Sequence, residues 1–201
     1  MAQDDTYKTI RAEASYELKI ERSVFIAHAR EVNSEEEAKA FIAAIREEHK
    51  QATHNCYAYR IGTGSREITY FNDHGEPSGT AGKPILGAIL SREATNLCVV
   101  VTRYFGGKKL GVRGLIEAYG AVAGKVIDTA GIVAKAPTSK ISIECDYPNL
   151  DRVLYQLNQY GATVITADYG QQILLTVEVN KAASGGLSDS LRSLAQVRLK
   201  N

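Results

Sequence analysis

Apolar residues recur with two different periods along this chain, and the places where the period changes mark its elements. In "SYELKI", Tyr16, Leu18 and Ile20 alternate with polar neighbours, and "SVFIAHA" follows after the short "ERS", which predicts two adjacent strands. The period then lengthens. Ala38, Phe41, Ile42 and Ile45 share one helical face behind a Ser34–Glu37 capping box. Glu35 to Glu37 sit near the positive end of that helix, and Arg46 and His49 near its negative end, as the helix dipole favours. "NCYAYRIG" and "EITYFND", joined through "TGSR", predict a second strand pair. "DHGEPSGTAGKP" is too rich in glycine and proline for regular structure, and it leads into a short helix that can bury Ile85, Leu86, Ile89 and Leu90. "LCVVV" is a continuous β-branched run, the pattern of a central strand covered on both faces. A long helix follows, marked by Leu115, Tyr119, Val122 and Val126. Small residues at Ala118, Ala121 and Ala123 let it approach a sheet closely, and Gly131 ends it.

After "VAKAPTSK", read as a linker, the rhythm changes. "KISIEC" alternates, Leu150, Val153, Leu154 and Leu157 form a helical stripe stopped by Gly161, and "ATVITADY" and "QQILLTVEV" bracket a turn at Gly170. Leu187, Leu191 and Leu194 predict a last helix, and Val197 and Leu199 a short final strand. That order is β-α-β-β-α-β, the ferredoxin-like split pattern. The expected organisation is two domains, residues 1–136 and 137–201, joined near residue 137.

Composition narrows the classes. Of 201 residues, 44% are hydrophobic and 23% charged, as in ordinary soluble domains, and the net charge of +1 leaves any attraction for phosphate to local clustering. Cys56, Cys98 and Cys145 are too few and too scattered for a disulfide framework or a structural zinc site. "MAQDDTYKTIR" is not a secretory signal, and no apolar run reaches the roughly 18 residues of a membrane helix, so a cytoplasmic protein with no membrane partner is expected.

The candidate chemistry concentrates in two glycine-rich stretches. "PSGTAGKP" ends in a Gly-Lys pair, but Pro77 holds the first glycine position of a phosphate-binding P-loop and Pro84 its metal-binding hydroxyl position, which excludes that motif. "GTGSRE" has Glu67 where a dinucleotide fingerprint needs its third glycine. His54, Cys56, Asp73, His74 and Glu76 are suitable metal ligands in no recognised spacing, so no metal and no cofactor are expected. Cys56 lies near His54 but needs a lowered pKa, Cys98 reads as inert core, and Ser78 lacks a nucleophile elbow. The stretch "RYFGGKKLGVRG" is different. Gly106 and Gly107 permit unusual backbone shapes, Arg103, Lys108, Lys109 and Arg113 surround them, and a helix N-terminus follows. Tyr104 and Phe105 stand between the cations, where one can stack on a base while the other packs inward.

"DHGEPSGTAGKP" followed by "VVVTRYFGGKKLGVRGLIEAYG" closely resembles the signature of the IMPACT family, in particular its bacterial YigZ-like branch, and the likeness spans most of residues 10–135. The resemblance implies an α+β protein. Its N-terminal domain would be like the second domain of a small-subunit ribosomal protein and domain IV of elongation factor G. Its C-terminal ferredoxin-like domain would be like domain V of that factor. Eukaryotic relatives regulate translation under amino-acid starvation through protein partners, and the bacterial branch is associated with nucleic acid or the ribosome. Carried over by position, the shared surface comprises His54, Asp73, Gly75, Glu76, Pro77, Gly79, Thr80 and Gly82, with Ser78 beside them, and Arg103, Tyr104, Gly106, Gly107, Leu110 and Gly111. This chain departs from the pattern at Lys108 and Lys109, where an apolar residue is frequent, at Arg113, where glycine is usual, and at Glu117, where a base is usual. Arg113 and Glu117 stand i, i+4 and can pair.

The function expected is that of a non-enzymatic, translation-associated regulator binding RNA or the ribosome. Arg103, Tyr104, Gly106, Gly107, Lys108, Lys109 and Arg113 would make the contact. Two alternatives stay open. One is a stress regulator that binds protein partners without touching RNA. The other is a small-molecule enzyme using Glu76, Asp73 and His54 as acid–base groups between the glycine loops.

Overall fold

The computed structural model describes residues 6–194 and 196–200. The chain divides into two compact units, Tyr7–Lys135 and Ala136 onward. In chain order the first unit contains β1 (Tyr7–Ile10), β2 (Ala14–Ile20), β3 (Ser23–Glu31), α1 (Glu35–Glu48), β4 (His54–Ile61), β5 (Ile68–Asn72), α2 (Gly82–Leu90), β6 (Leu97–Tyr104), α3 (Gly111–Ala130) and β7 (Ile132–Lys135).

Five of these strands form an antiparallel sheet in the order β2-β3-β6-β4-β5. The run Leu97–Val101 is central because every side chain in it is apolar and has a layer to enter. Leu97, Val99 and Val101 join the core beneath α2 and α3, while Cys98 and Val100 join a smaller core beneath α1. The same alternation aims His54, Cys56 and Ala58 of β4, and Phe25 of β3, towards the α2–α3 layer. As the periodicity requires, Ala38, Phe41, Ile42 and Ile45 are the buried face of α1. Ser34 Oγ accepts from Glu37 N, and Glu37 reaches back to the Asn33 amide.

The second unit contains β8 (Thr138–Cys145), α4 (Leu150–Gln159), β9 (Thr163–Tyr169), β10 (Ile173–Asn180), α5 (Lys181–Arg192) and β11 (Arg198–Lys200), with antiparallel strand order β11-β8-β10-β9. Its core gathers Ile143, Val153, Leu157, Ile173, Leu175, Val177, Leu187 and Leu191. This is the expected β-α-β-β-α-β arrangement, and the whole chain is an α+β protein of two units.

Three local expectations change. "VAKAPTSK" is not an open linker: β7 pairs with β1 up to Lys135, and β8 begins at Thr138. The sequence pattern could not show this, because the partner of β7 is a four-residue strand at the other end of the unit. Leu90 and Leu154 are 43% and 41% exposed, since the stripes of two short helices are wider than the surfaces they cover.

Candidate functional site

Antiparallel pairing brings the two glycine stretches together. His54 is paired with Arg103 across β4 and β6, and β5 delivers the "DHGEPSGTAG" loop to the same end of the sheet. The loop opens with a tight turn in which Glu76 N donates to the Asp73 carbonyl, and both central residues, His74 and Gly75, have positive φ (41° and 85°). Asp73 then organises the rest. Its Oδ2 accepts from Gly79 N (2.9 Å), and its Oδ1 from Ala81 N (3.0 Å) and Gly82 N (2.8 Å). The last two are amides at the start of α2, which has no side-chain cap from its own N-cap residue Ala81, so a carboxylate from outside the helix supplies one. Gly82 is required because a Cβ there would stand 2.8 Å from Asn72 N.

The turn drives Glu76 inward. Its side chain is 4% exposed, and its Oε1 accepts from Arg103 Nη1 at 2.6 Å and from the Tyr119 hydroxyl at 2.9 Å. Arg103, itself 4% exposed, also donates to Ser23 Oγ, and its guanidinium lies 5.3 Å from the ring centroids of both Phe25 and Phe105. Burial pushes the Tyr119 phenol far above its ordinary pKa, so it stays a neutral donor. The Cys56 thiol is 2.9 Å from the Asp73 carbonyl and is likewise raised by burial, to about 12. That removes it as a nucleophile. His54 Nδ1 donates to the His74 carbonyl, and its Nε2 is 3.7 Å from Glu76 Oε1.

Above this network opens a cleft of about 400 Å³, lined by Thr53, His54, Glu76, Pro77, Arg103 and Phe105 on one side. Lys109, Leu110, Gly111, Val112 and Leu115 line the other. Its walls are mainly apolar and its floor is the buried ion pair. Of the five sequence candidates for a metal site, only His54 and Glu76 line the cleft. No three of them are grouped to hold a metal among the described residues, and the other three are engaged elsewhere. Asp73 holds three amides, Cys56 faces a carbonyl, and His74 Nδ1 accepts from Asn55 N.

The sequence-derived candidates separate into three groups. Lys108, Lys109 and Arg113 are exposed, as are Ser78 and Gly107. Lys108 bonds Glu21 at 2.6 Å and Arg113 bonds Glu117 at 2.8 Å, as the i, i+4 spacing anticipates, and Lys109 has no ion-pair partner among the described residues. Glu76, Thr80, Gly82 and Arg103 are buried, so they form the floor and its supports rather than a surface. Arg103 is withdrawn from the set of cations facing solvent because strand alternation points it under the loops, onto Glu76. Tyr104 faces the opposite layer and bonds His49 (2.9 Å). Gly106 is seated against the Arg22 carbonyl, which a Cβ would overlap. Sequence reading missed Tyr119 and Ser23 as members of the site. The available signal was a lone phenol on an otherwise apolar helix face, since a buried hydroxyl needs a partner.

An Impact N-terminal domain model matches residues 21–127, and a domain of unknown function, DUF1949, matches residues 143–196. The IMPACT family member YvyE of Bacillus subtilis is 36% identical over 94% of this chain and 87% of its own length. This chain belongs to the IMPACT family. The family member YigZ of Escherichia coli is 33% identical over 90% of the chain and 89% of its own. A crystal structure described as a hypothetical protein shares 31% identity over 97% of this IMPACT chain and 96% of its own, with a TM-score of 0.71. The two-domain translational regulator Yih1, at 26% identity, covers 61% of this chain and 46% of its own with a TM-score of 0.37, a likeness that carries no structural argument.

Proposed function

We propose that this IMPACT-family chain is a non-enzymatic, translation-associated regulator in the cytoplasm that contacts RNA or the ribosome through the loop face of its first unit. The observation that carries the reading is the division of labour among the basic residues. Arg103 is spent on the buried floor, while Lys108, Lys109 and Arg113 stand exposed beside an open cleft and the half-exposed ring of Phe105. Exposed ion pairs such as Lys108–Glu21 and Arg113–Glu117 are weak in water and screened by salt, so a phosphate can displace either carboxylate. The family resemblance supports the same direction, through the likeness it implies to domains IV and V of elongation factor G.

The test is a fluorescence-anisotropy titration of single-stranded RNA at rising salt. With three cations engaged, log Kd should change with log salt by a slope of about 2 in magnitude, and Lys108→Ala with Lys109→Ala should reduce that slope by a little over 1. Absent binding, or binding indifferent to salt, would sink the reading.

A further inference from the structure

We infer that the first unit pairs with a second copy of itself, edge to edge along β5. Sheet edges expose backbone N–H and C=O groups, and proteins guard them with charge, proline or an irregular register. Every other described edge strand of this chain is guarded. β1 has Lys8 and β7 has Lys135, β2 has Glu17 and Lys19, and β11 has Arg198. β9 has Asp168 and a shift of register against β10. β5, "ITYFN", has no charge and no proline, and it pairs with β4 in unbroken register from Ile68 to Asn72. Beyond that pairing, no backbone group of residues 68–71 has a hydrogen-bond partner among the described residues. Ile68, Tyr70 and Phe71 are 44%, 45% and 41% exposed, so the strand is apolar and open on both faces.

A partner strand has to bring apolar side chains on both faces and no charge between them, and β5 itself meets that requirement. By alternation, Ile68 and Tyr70 lie on the α1 face of the sheet and Thr69 and Phe71 on the α2 face. Antiparallel pairing of two β5 strands about Tyr70 overlaps all five residues. It sets Tyr70 against Tyr70, Thr69 against Phe71 and Ile68 against Asn72. On the α1 face this continues a row of rings already present, because Tyr70 stacks on Tyr59 at 5.5 Å and on Tyr57 at 6.1 Å. The acids that flank the strand are occupied within each copy. Glu67 bonds Arg60 at 2.7 Å, and Asp73 holds its three amides. A net charge of +1 adds little long-range repulsion between copies. The contact is isologous, so one pairing uses both free edges, and the guarded edges stop growth at a dimer.

The experiment uses the full chain in sedimentation velocity, from low to high micromolar concentration. The mass should move from 21.9 kDa towards twice that value as concentration rises. Thr69→Lys, at an exposed position, should keep the parent's circular-dichroism spectrum and hold the chain at the lower mass. Opposed residues of an antiparallel pair stand about 4.5–5.5 Å apart, within reach of a disulfide. All three native cysteines are buried, so Tyr70→Cys adds one exposed thiol at the two-fold axis and should give a covalent dimer under mild oxidation. Glu17→Cys, exposed on the guarded edge strand β2, should not. A mass of 21.9 kDa throughout, with Tyr70→Cys cross-linking no more than Glu17→Cys, would overturn the pairing. A dimer that survives Thr69→Lys and leaves Tyr70→Cys unlinked would place the seam elsewhere and overturn β5. A monomer in which the β5 amides slow their hydrogen exchange only when RNA is added would give the edge to RNA and overturn the second copy. Should Thr69→Lys fail to fold, the cross-link alone decides.

Discussion

Glu76 and Arg103 show how strongly a single contact can constrain both stability and site. Both side chains are 5% exposed or less, so removing one partner strands a buried charge. Arg103→Met should cost about 3–5 kcal/mol in denaturant unfolding, and the double variant with Glu76→Gln should recover much of that loss. If Arg103→Met unfolds at the same denaturant concentration as the parent, the pair is not buried as described. The sequence announced that Arg103 matters without saying how. A cation beside two glycines suggests a phosphate site, and only the strand pairing reveals that a carboxylate from the other loop meets it first. Lys108, Lys109 and Arg113 were legible because nothing in the periodicity asks them to be buried. Tyr119 was read correctly as inward, but its hydroxyl and the acceptor it would find were not, since that acceptor arrives through an irregular turn.

At the level of elements, α2 depends on a residue outside itself. Asp73 is bonded to three amides that the helix and its approach would otherwise leave open. Asp73→Ala should therefore destabilise the first unit by about 2–3 kcal/mol, and hydrogen exchange should quicken at Gly79, Ala81 and Gly82 before it does in β6. Unchanged exchange at those amides would show that the helix start is held by something else. The contrast with α1 explains what local sequence can tell. Ser34 caps α1 from the adjacent position, so its start is written in neighbouring letters; the cap of α2 is nine residues upstream of its first residue, Gly82, and reads as loop. The β1–β7 pair escaped notice for a related reason, because four-residue strands gain meaning only from a partner remote in sequence.

The molecule as a whole has almost no net charge, +1, and residues 136–201 carry as many basic as acidic side chains. Affinity for a polyanion has to come from a patch. Two separate apolar clusters in the first unit and one in the second follow directly from the strand and helix periods, which is why the α+β class and the β-α-β-β-α-β order were readable in advance. The pH response belongs to the first unit. His28 lies in the layer beneath α1, its pKa lowered below 6.5 by burial and then by His49, whose ring centre is 5.4 Å away, and its Nε2 has no hydrogen-bond partner among the described residues. A histidine that protonates more readily when unfolded contributes stability above its unfolded pKa. That stability drains away as pH falls below about 6.5 towards the lowered folded value. The melting temperature should accordingly fall between pH 7 and 5, and His28→Gln should flatten the slope. A slope of the same steepness in that variant would assign the effect to other groups.

Gly106 leaves one more consequence. It is pressed onto the carbonyl of Arg22, in the two-residue turn Glu21–Arg22 that joins β2 to β3, and Lys108 holds Glu21 in that same turn. The basic loop therefore takes its position from a hairpin tip far away in the chain. Hairpin tips ordinarily absorb inserted residues with little harm. Here an insertion of one residue would lift the seat of Gly106 and part Lys108 from its acid in a single step, so the turn that looks most dispensable sets the reading frame of the loop face.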